Sequence, residues 1–278
     1  MWDYLCPKCK KEVDKNSHKC PHCREQYGIP VRVPPKVLKD KKVLEEYVHR
    51  EIFPRIACWQ REYLTQFFTE IFSDGFESGD FTAWTGTAGT PTIVTTPVHH
   101  GTYAAQLQAG EGVNKFVYKD LGATYQTLYA RLYWRISVLP AVNKFVDLID
   151  LTAGQGAYSA VADVGYGQVS GVFNWYYRLL GNYYQGYVET ISVDTWYCIE
   201  LKCLVSATIG EIRVWINGVE RITQTGLNTG STNLGRMYAM FYQAPWATNA
   251  FADCVVVADT YIGPEPAANV YMVFLGKP

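Results

Sequence analysis

The hydrophobic pattern with a repeat of two residues, present from Asp74 onward, constrains this chain more than any other feature. Apolar and polar residues alternate there, as in strands with one buried face. Asn217-Gly218 lies between two such runs and favours a tight hairpin turn. Strands are predicted over 130–138, 145–151, 172–179, 197–205, 212–216, 236–242 and 252–258. So many short strands with few helix signals predict a mainly β chain folded as a two-sheet sandwich.

The charge distribution divides the chain near Ser73. The 278 residues carry a net charge of -1, which argues against a basic field that would grip nucleic acid. Residues 1–73 hold 14 Lys and Arg against 10 Asp and Glu, which leaves 11 and 16 of the totals, 25 and 26, for residues 74–278. The first region is therefore basic and highly charged, whereas the second is acidic and aromatic.

The first region contains a cysteine pattern typical of a metal site. Two Cys-x2-Cys pairs, ten residues apart, present four thiolates at the spacing that closes a tetrahedron around one structural Zn²⁺: Cys6, Cys9, Cys20 and Cys23. Residues 4–25 also resemble the short zinc-ribbon family. Four thiolates leave no coordination position open for catalysis, and a disulfide pair is the alternative to the metal. The other cysteines are expected to be buried, reduced thiols: Cys58, Cys198, Cys203 and Cys254.

These patterns predict four regions. A zinc ribbon over 1–28 is followed by an extended linker and amphipathic helices over 29–73, where apolar residues up to Ile71 and Phe72 follow helical spacing. The helices pack either on the sandwich or on other copies of the chain. The sandwich occupies 74–264, and 265–278 forms a C-terminal arm or an extra strand.

Four segments of the sandwich resemble the concanavalin-A-like jelly rolls: 74–84, 100–107, 196–218 and 253–263. The resemblance implies a jelly-roll β-sandwich. The family includes lectins, laminin-G-like modules, glucanases, polysaccharide lyases and viral surface domains, so it does not by itself define an activity.

An aromatic stretch within the sandwich offers candidate ligand-binding residues. Flat rings stack on sugars, and planar amide and guanidinium groups beside them supply hydrogen bonds. The candidates are Trp175, Tyr176, Tyr177, Arg178, Asn182, Tyr183, Tyr184 and Gln185. Because neighbours in a strand face opposite ways, the alternative is that half of these rings fill the core.

Catalytic patterns typical of the family are missing from the sequence. Retaining glycosidases of this fold resemble one another in a Glu-x-Asp-x-Glu strand, which does not occur here, nor does the Gln-x-His strand of alginate lyases. Asp147 and Asp150 are three residues apart, which predicts that they face opposite sides of one strand. We therefore expect a chain that is not an enzyme.

The function predicted from these features is that of a virion structural protein, a capsid-surface, fibre or tail component. The absence of a secretion signal and the reduced thiolates fit synthesis in the cytosol, and the lectin-like body fits exposure on an assembled particle. Expected partners are sister subunits in a homo-oligomer, other particle proteins and glycans, with neither a membrane nor nucleic acid. The alternatives are a polysaccharide lyase or glycoside hydrolase, and a cytosolic zinc-ribbon protein that binds nucleic acid or protein.

Overall fold

The computed structural model describes residues 70–110, 115–154, 160–242 and 246–265, without the side chains of 108–110 and 240–242. The predicted zinc cysteines, the linker and nearly all of the C-terminal arm lie outside the described residues. Within these ranges the chain forms fifteen strands and no helix. The described part of the chain thus contains no helical segment that could cross a membrane.

The strands follow one another closely along the chain. Their bounds are β1 Glu70–Asp74, β2 Gly86–Ala88, β3 Thr92–Val94, β4 Ala104–Gly110, β5 Lys115–Tyr125, β6 Thr127–Ile136, β7 Phe145–Ala153, β8 Ala160–Val169, β9 Val172–Leu179, β10 Asn182–Val188, β11 Tyr197–Leu204, β12 Gly210–Ile216, β13 Val219–Leu227, β14 Leu234–Tyr242 and β15 Thr248–Ala258.

The strands assemble into two antiparallel sheets. One has eight strands in the order β13-β12-β11-β6-β15-β4-β3, with β1 also paired to β15. The other has seven strands in the order β10-β9-β8-β7-β14-β5-β2. Residues Glu70–Gly263 form one compact unit. The predicted β-sandwich is therefore confirmed.

The alternating pattern places the core between the sheets. In β6, every second side chain from Leu128 to Ile136 is buried in one apolar cluster with the inner side chains of the other sheet. Trp134 of the eight-stranded sheet meets Trp175 of the seven-stranded sheet edge to face, with ring centroids 6.1 Å apart. This contact joins the two layers within the core.

The N-terminal edge of the sandwich differs from the prediction. Ile71 and Phe72, assigned to a helix by their spacing, lie in β1, which pairs with β15. The helical interpretation is wrong for these two residues, because pairing with β15 supplies backbone hydrogen bonds and the Phe72 ring packs 5.1 Å from that of Trp84. Apolar residues in so short a run suit either type of element.

The predicted hairpin turn is confirmed. Only Asn217 and Gly218 separate β12 from β13, and both have positive φ, 51° and 78°. These are the residue types that tolerate the left-handed backbone of such a turn. The Asn217 side chain also accepts a hydrogen bond from the Cys198 amide at 2.8 Å.

Candidate functional site

A row of polar side chains crosses six adjacent strands on the outer face of the seven-stranded sheet. Successive members are direct partners in the strand register, so their side chains share one face and their Cβ atoms are about 4.5–5.5 Å apart. Their neighbours in sequence, such as Leu151 and Val164, point into the core. This polar row consists, in order from β5 to β10, of Tyr118, Tyr238, Asp150, Asp163, Arg178 and Tyr183.

A second carboxyl group lies beside the row. Asp147 of β7 accepts a hydrogen bond from the Tyr176 phenol at 2.5 Å and one from the Arg178 guanidinium at 2.8 Å. The prediction that Asp147 and Asp150 face opposite sides is wrong. The register shifts between Asp147 and Ile149, and such a bulge inserts one residue and restores both carboxyls to the same face.

Two glycines of β8 make this arrangement possible. A Cβ at Gly165 would lie 2.2 Å from the Val146 carbonyl oxygen and 2.3 Å from the Tyr176 ring. The missing side chain therefore lets Tyr176 of β9 extend across β8 and reach Asp147 on β7. Gly167 is similarly crowded, because a Cβ there would lie 2.5 Å from the Cβ of Phe145.

Burial sets the protonation of the carboxyl groups. Asp147, Asp150 and Asp163 are at most 2% exposed. Burial, and then repulsion by Asp147 and Asp150, raises the pKa of Asp163 well above its ordinary value. Burial also raises the pKa of Asp147, although the Arg178 charge and the Tyr176 hydrogen bond oppose this rise. Asp163 therefore holds its proton more tightly than Asp147 does.

Some polar atoms of this face have no hydrogen-bond partner among the described residues. They are Oδ1 of Asp163 and Oγ1 of Thr152, both buried. Thr152 is the register partner of Arg236, so it shares the outer face with the polar row. Buried polar atoms are nearly always satisfied, and exceptions occur where a ligand or water supplies the partner.

A guanidinium forms the other end of the face. Arg236 of β14 donates to both carboxylate oxygens of Asp120, at 2.6 and 2.9 Å, and to the Tyr238 hydroxyl at 3.0 Å. Its charge lies 4.3 Å from the centre of the Tyr118 ring. These contacts hold the two tyrosines of the row against each other, with ring centroids 5.4 Å apart.

The predicted binding residues divide between the two faces. Tyr176, Arg178 and Tyr183 lie on the outer face, and Gln185 joins them as the register partner of Tyr176. Trp175 and Tyr177 belong to the apolar core. Of the others, Tyr184 stacks on Tyr177 at 5.0 Å, and Asn182 donates to the Leu179 carbonyl at 3.4 Å.

Sequence alone did not reveal four polar residues of the outer face. Tyr118, Tyr238 and Arg236 were not among the candidates, because their position beside Asp150 depends on pairing between strands that are distant in sequence. Asp163 was missed because β8 was not predicted as a strand. The glycines of β8 weaken the alternation of apolar and polar residues on which a strand prediction depends. The period was nevertheless present, since Asp163, Gly165 and Gly167 alternate with residues that pack inward.

No protein-family model and no curated protein matches the chain. Among solved structures it is similar to cellulose induced protein Cip1, with a TM-score of 0.54, 19% identity, and coverage of 69% of this chain and 99% of that one. It is also similar to a carbohydrate esterase from Shiga toxin-encoding bacteriophage phi24B, with a TM-score of 0.53, 13% identity, and coverage of 70% and 100%. The globular domain of T. cruzi calreticulin gives a TM-score of 0.50 at 10% identity, covering 69% and 89%. At these identities the likeness establishes the sandwich fold alone.

Proposed function

We propose that the sandwich binds a glycan across the outer face of the seven-stranded sheet and hydrolyses it by acid catalysis. The observation that carries this proposal is the direct opposition of Asp150 and Asp163 in the polar row. Two buried carboxyl groups on one face repel each other, and such pairs cluster at catalytic sites because their pKa values are driven apart. A sandwich needs no such pair for its stability.

In the proposed reaction Asp163, which holds a proton, donates it to the glycosidic oxygen as the bond to the anomeric carbon breaks. Asp150 faces the same bond as a carboxylate and forms the covalent bond to that carbon. Water then attacks the intermediate, gives its proton back to Asp163 and releases Asp150. The two carboxyls of retaining glycosidases lie about 5–5.5 Å apart. The Cβ atoms of directly opposed strand residues lie about 4.5–5.5 Å apart, so Asp150 and Asp163 start from a comparable separation.

The remaining members of the face position the glycan and the charges. Tyr183 is 39% exposed and offers its ring for stacking on a sugar at the β10 end of the row. The Gln185 amide and the Arg178 guanidinium lie beside it. Arg178 also donates to Asp147 and favours its ionised form, and a charge on Asp147 adds to the effect of burial in raising the pKa of Asp163.

This proposal replaces the expectation that the chain is not an enzyme. That expectation rested on the absence of a catalytic motif within one strand, whereas the carboxyls here come from the neighbouring strands β7 and β8. Two proteins of similar fold are described as a cellulose induced protein and a carbohydrate esterase, which makes a carbohydrate ligand a reasonable first test.

The test measures binding and cleavage separately. The full chain is assayed against a glycan panel by calorimetry and by reducing-end release, alongside Asp163→Asn, Asp150→Asn and the control Asp194→Asn. Asp194 is an exposed aspartate that pairs with Arg135 outside the polar row. We expect the first two variants to bind but to lose cleavage by about a hundredfold or more, and the control to match wild type. Binding without any cleavage by wild type would reduce the role to recognition, and the absence of both would contradict the proposal.

A second proposal concerns where the activity takes place. The cysteine pattern of residues 6–23, which lies outside the described residues, supports a virion component whose ribbon and helices anchor the sandwich to a particle and to sister subunits. One similar fold comes from a bacteriophage, in agreement with this setting. Co-sedimentation of the chain with particles from a lysate would support the proposal, and a free monomer in the same fractions would contradict it.

A further inference from the structure

The charged groups of the outer face do not balance. The register places four carboxyl groups on it: Asp120, Asp147, Asp150 and Asp163. In the strands that the structure describes, the same face carries two guanidiniums, Arg178 and Arg236. This face therefore carries more acidic than basic side chains in the described strands.

Both guanidiniums are already engaged by carboxylates. Arg236 is clamped by both oxygens of Asp120, and Arg178 donates to Asp147 at 2.8 Å. A bidentate clamp satisfies the fork of donors with which arginine recognises a carboxylate. An acidic sugar would therefore have to displace one of these partners in order to be neutralised.

The polar atoms that remain suit hydroxyl groups. A protonated Asp163 can donate or accept a hydrogen bond through Oδ1, and the hydroxyl of Thr152 also does both. A sugar hydroxyl can form either bond with each of them without introducing a charge. A sugar carboxylate or sulfate brings only acceptors and a negative charge beside Asp150.

On this basis, and resting on the proposed function, we propose that the glycan recognised by the polar row is uncharged, and that polyuronates and sulfated glycans are excluded. Like charges placed next to each other at an interface repel, so a charged glycan should bind at least about tenfold more weakly than its neutral counterpart.

Matched pairs of polymers test this inference with the full chain. Polygalacturonate is compared with its methyl ester, and carboxymethyl cellulose with hydroxyethyl cellulose, within a wider panel of neutral and anionic glycans. We expect the glycans that bind to be neutral, and the neutral member of a pair to bind better at constant ionic strength. Binding of any polyuronate or sulfated glycan as tightly as neutral ones, lost on Tyr183→Ala, would overturn the inference and leave the proposed function intact. Failure of every glycan to bind would instead overturn the proposed function.

A variant separates charge from shape. Asp120→Asn keeps the size of the side chain but removes the carboxylate that clamps Arg236, and Asp194→Asn makes the same change to the partner of Arg135 elsewhere. We expect Asp120→Asn to reduce the ratio of the affinities for neutral and anionic glycans by about tenfold, and Asp194→Asn to leave this ratio unchanged. The same ratio of affinities in wild type and in Asp120→Asn would overturn the inference that Asp120 keeps Arg236 from binding an anionic glycan.

Discussion

At the scale of single residues, the outer face holds groups that a stable fold alone would not select. A buried carboxyl with one unpartnered oxygen raises the free energy of the folded state, and here it faces two further carboxyls. Natural proteins accept such a cost where chemistry requires it, and the replacement of these groups then stabilises the fold while it removes activity.

Asp163→Asn is expected to stabilise the fold at neutral pH. The native pKa of Asp163 is raised, so the folded state holds the proton more tightly and stability falls as pH rises above the ordinary value of 3.8. The variant removes this fall and should be more stable at pH 7 by about 1–3 kcal/mol, the range for relieving an unsatisfied buried group. Thermal and urea unfolding between pH 4 and 8 measure the difference.

Two other groups keep part of the pH dependence in that variant. The pKa of Asp147 is also raised, and burial raises the pKa of Asp253 to about 6, although amides of His99 and His100 that donate to it oppose the rise. The stability curve of Asp163→Asn should therefore be shallower than that of wild type, not flat. A variant that is less stable than wild type at pH 7 would show that the ionised Asp163 supports the fold.

Gly165→Ala tests the contact that crosses β8. The added Cβ would overlap both the Val146 carbonyl and the Tyr176 ring. We expect a loss of about 1–3 kcal/mol in unfolding free energy, as for overpacking in a core, together with loss of cleavage. Gly75→Ala is the control, because its nearest neighbour would be 3.8 Å away. Equal stability of the two variants would show that Tyr176 does not need the space above Gly165.

At the scale of elements, many of the strands could be predicted from the sequence, but the register of one strand against another could not. β6, β11 and β12 alternate clearly because their outer side chains stay polar in the sequence. β7 is buried on both faces over seven consecutive residues, and its bulge changes the register of Asp150 against Asp147. A bulge depends on pairing with other strands, so no local pattern revealed that the carboxyls share a face.

Another element, the segment that follows β15, depends on one buried carboxylate. Glu200 of β11 accepts hydrogen bonds from the amides of Ile262 and Gly263, each at 2.7 Å, and faces Arg131 across the strand pair. Glu200→Ala leaves two buried donors unsatisfied, so we expect a loss on the order of 2–5 kcal/mol in chemical unfolding. Glu220→Ala, which removes an exposed carboxylate on the same sheet, should cost less than about 1 kcal/mol. Similar costs for both would contradict the role of Glu200 as the anchor.

At the scale of the whole molecule, the inner faces of the two sheets form the core, and the outer face of the seven-stranded sheet carries the candidate site. The inner faces form one apolar cluster, whereas the outer face of the seven-stranded sheet collects charge from strands that are distant in sequence. The aromatic stretch near residue 175 was visible in the sequence, but the alternation of the strands places some of its side chains in the core and others at the candidate site. The polar row is formed by residues from different strands, so it cannot be seen in any one stretch of sequence. For this reason the sequence indicated a ligand-binding body but did not reveal the carboxyl pair.

The last prediction concerns metal binding and assembly by the basic N-terminal region of the chain. The four N-terminal cysteines are predicted to bind one Zn²⁺ per chain and, with the helical connector, to hold sister subunits together. We expect elemental analysis to give one zinc per chain and light scattering to give a multiple of 31.4 kDa. Replacing Cys6 and Cys9 with Ser should remove the zinc and lower the native mass, while the sandwich keeps its near-ultraviolet circular dichroism because its core lies within Glu70–Gly263. The control, Cys203→Ser, changes a buried thiol of the sandwich and should destabilise the fold while the zinc content stays the same. A zinc-free wild-type chain, or a monomer of unchanged mass in every variant, would contradict the proposed anchor.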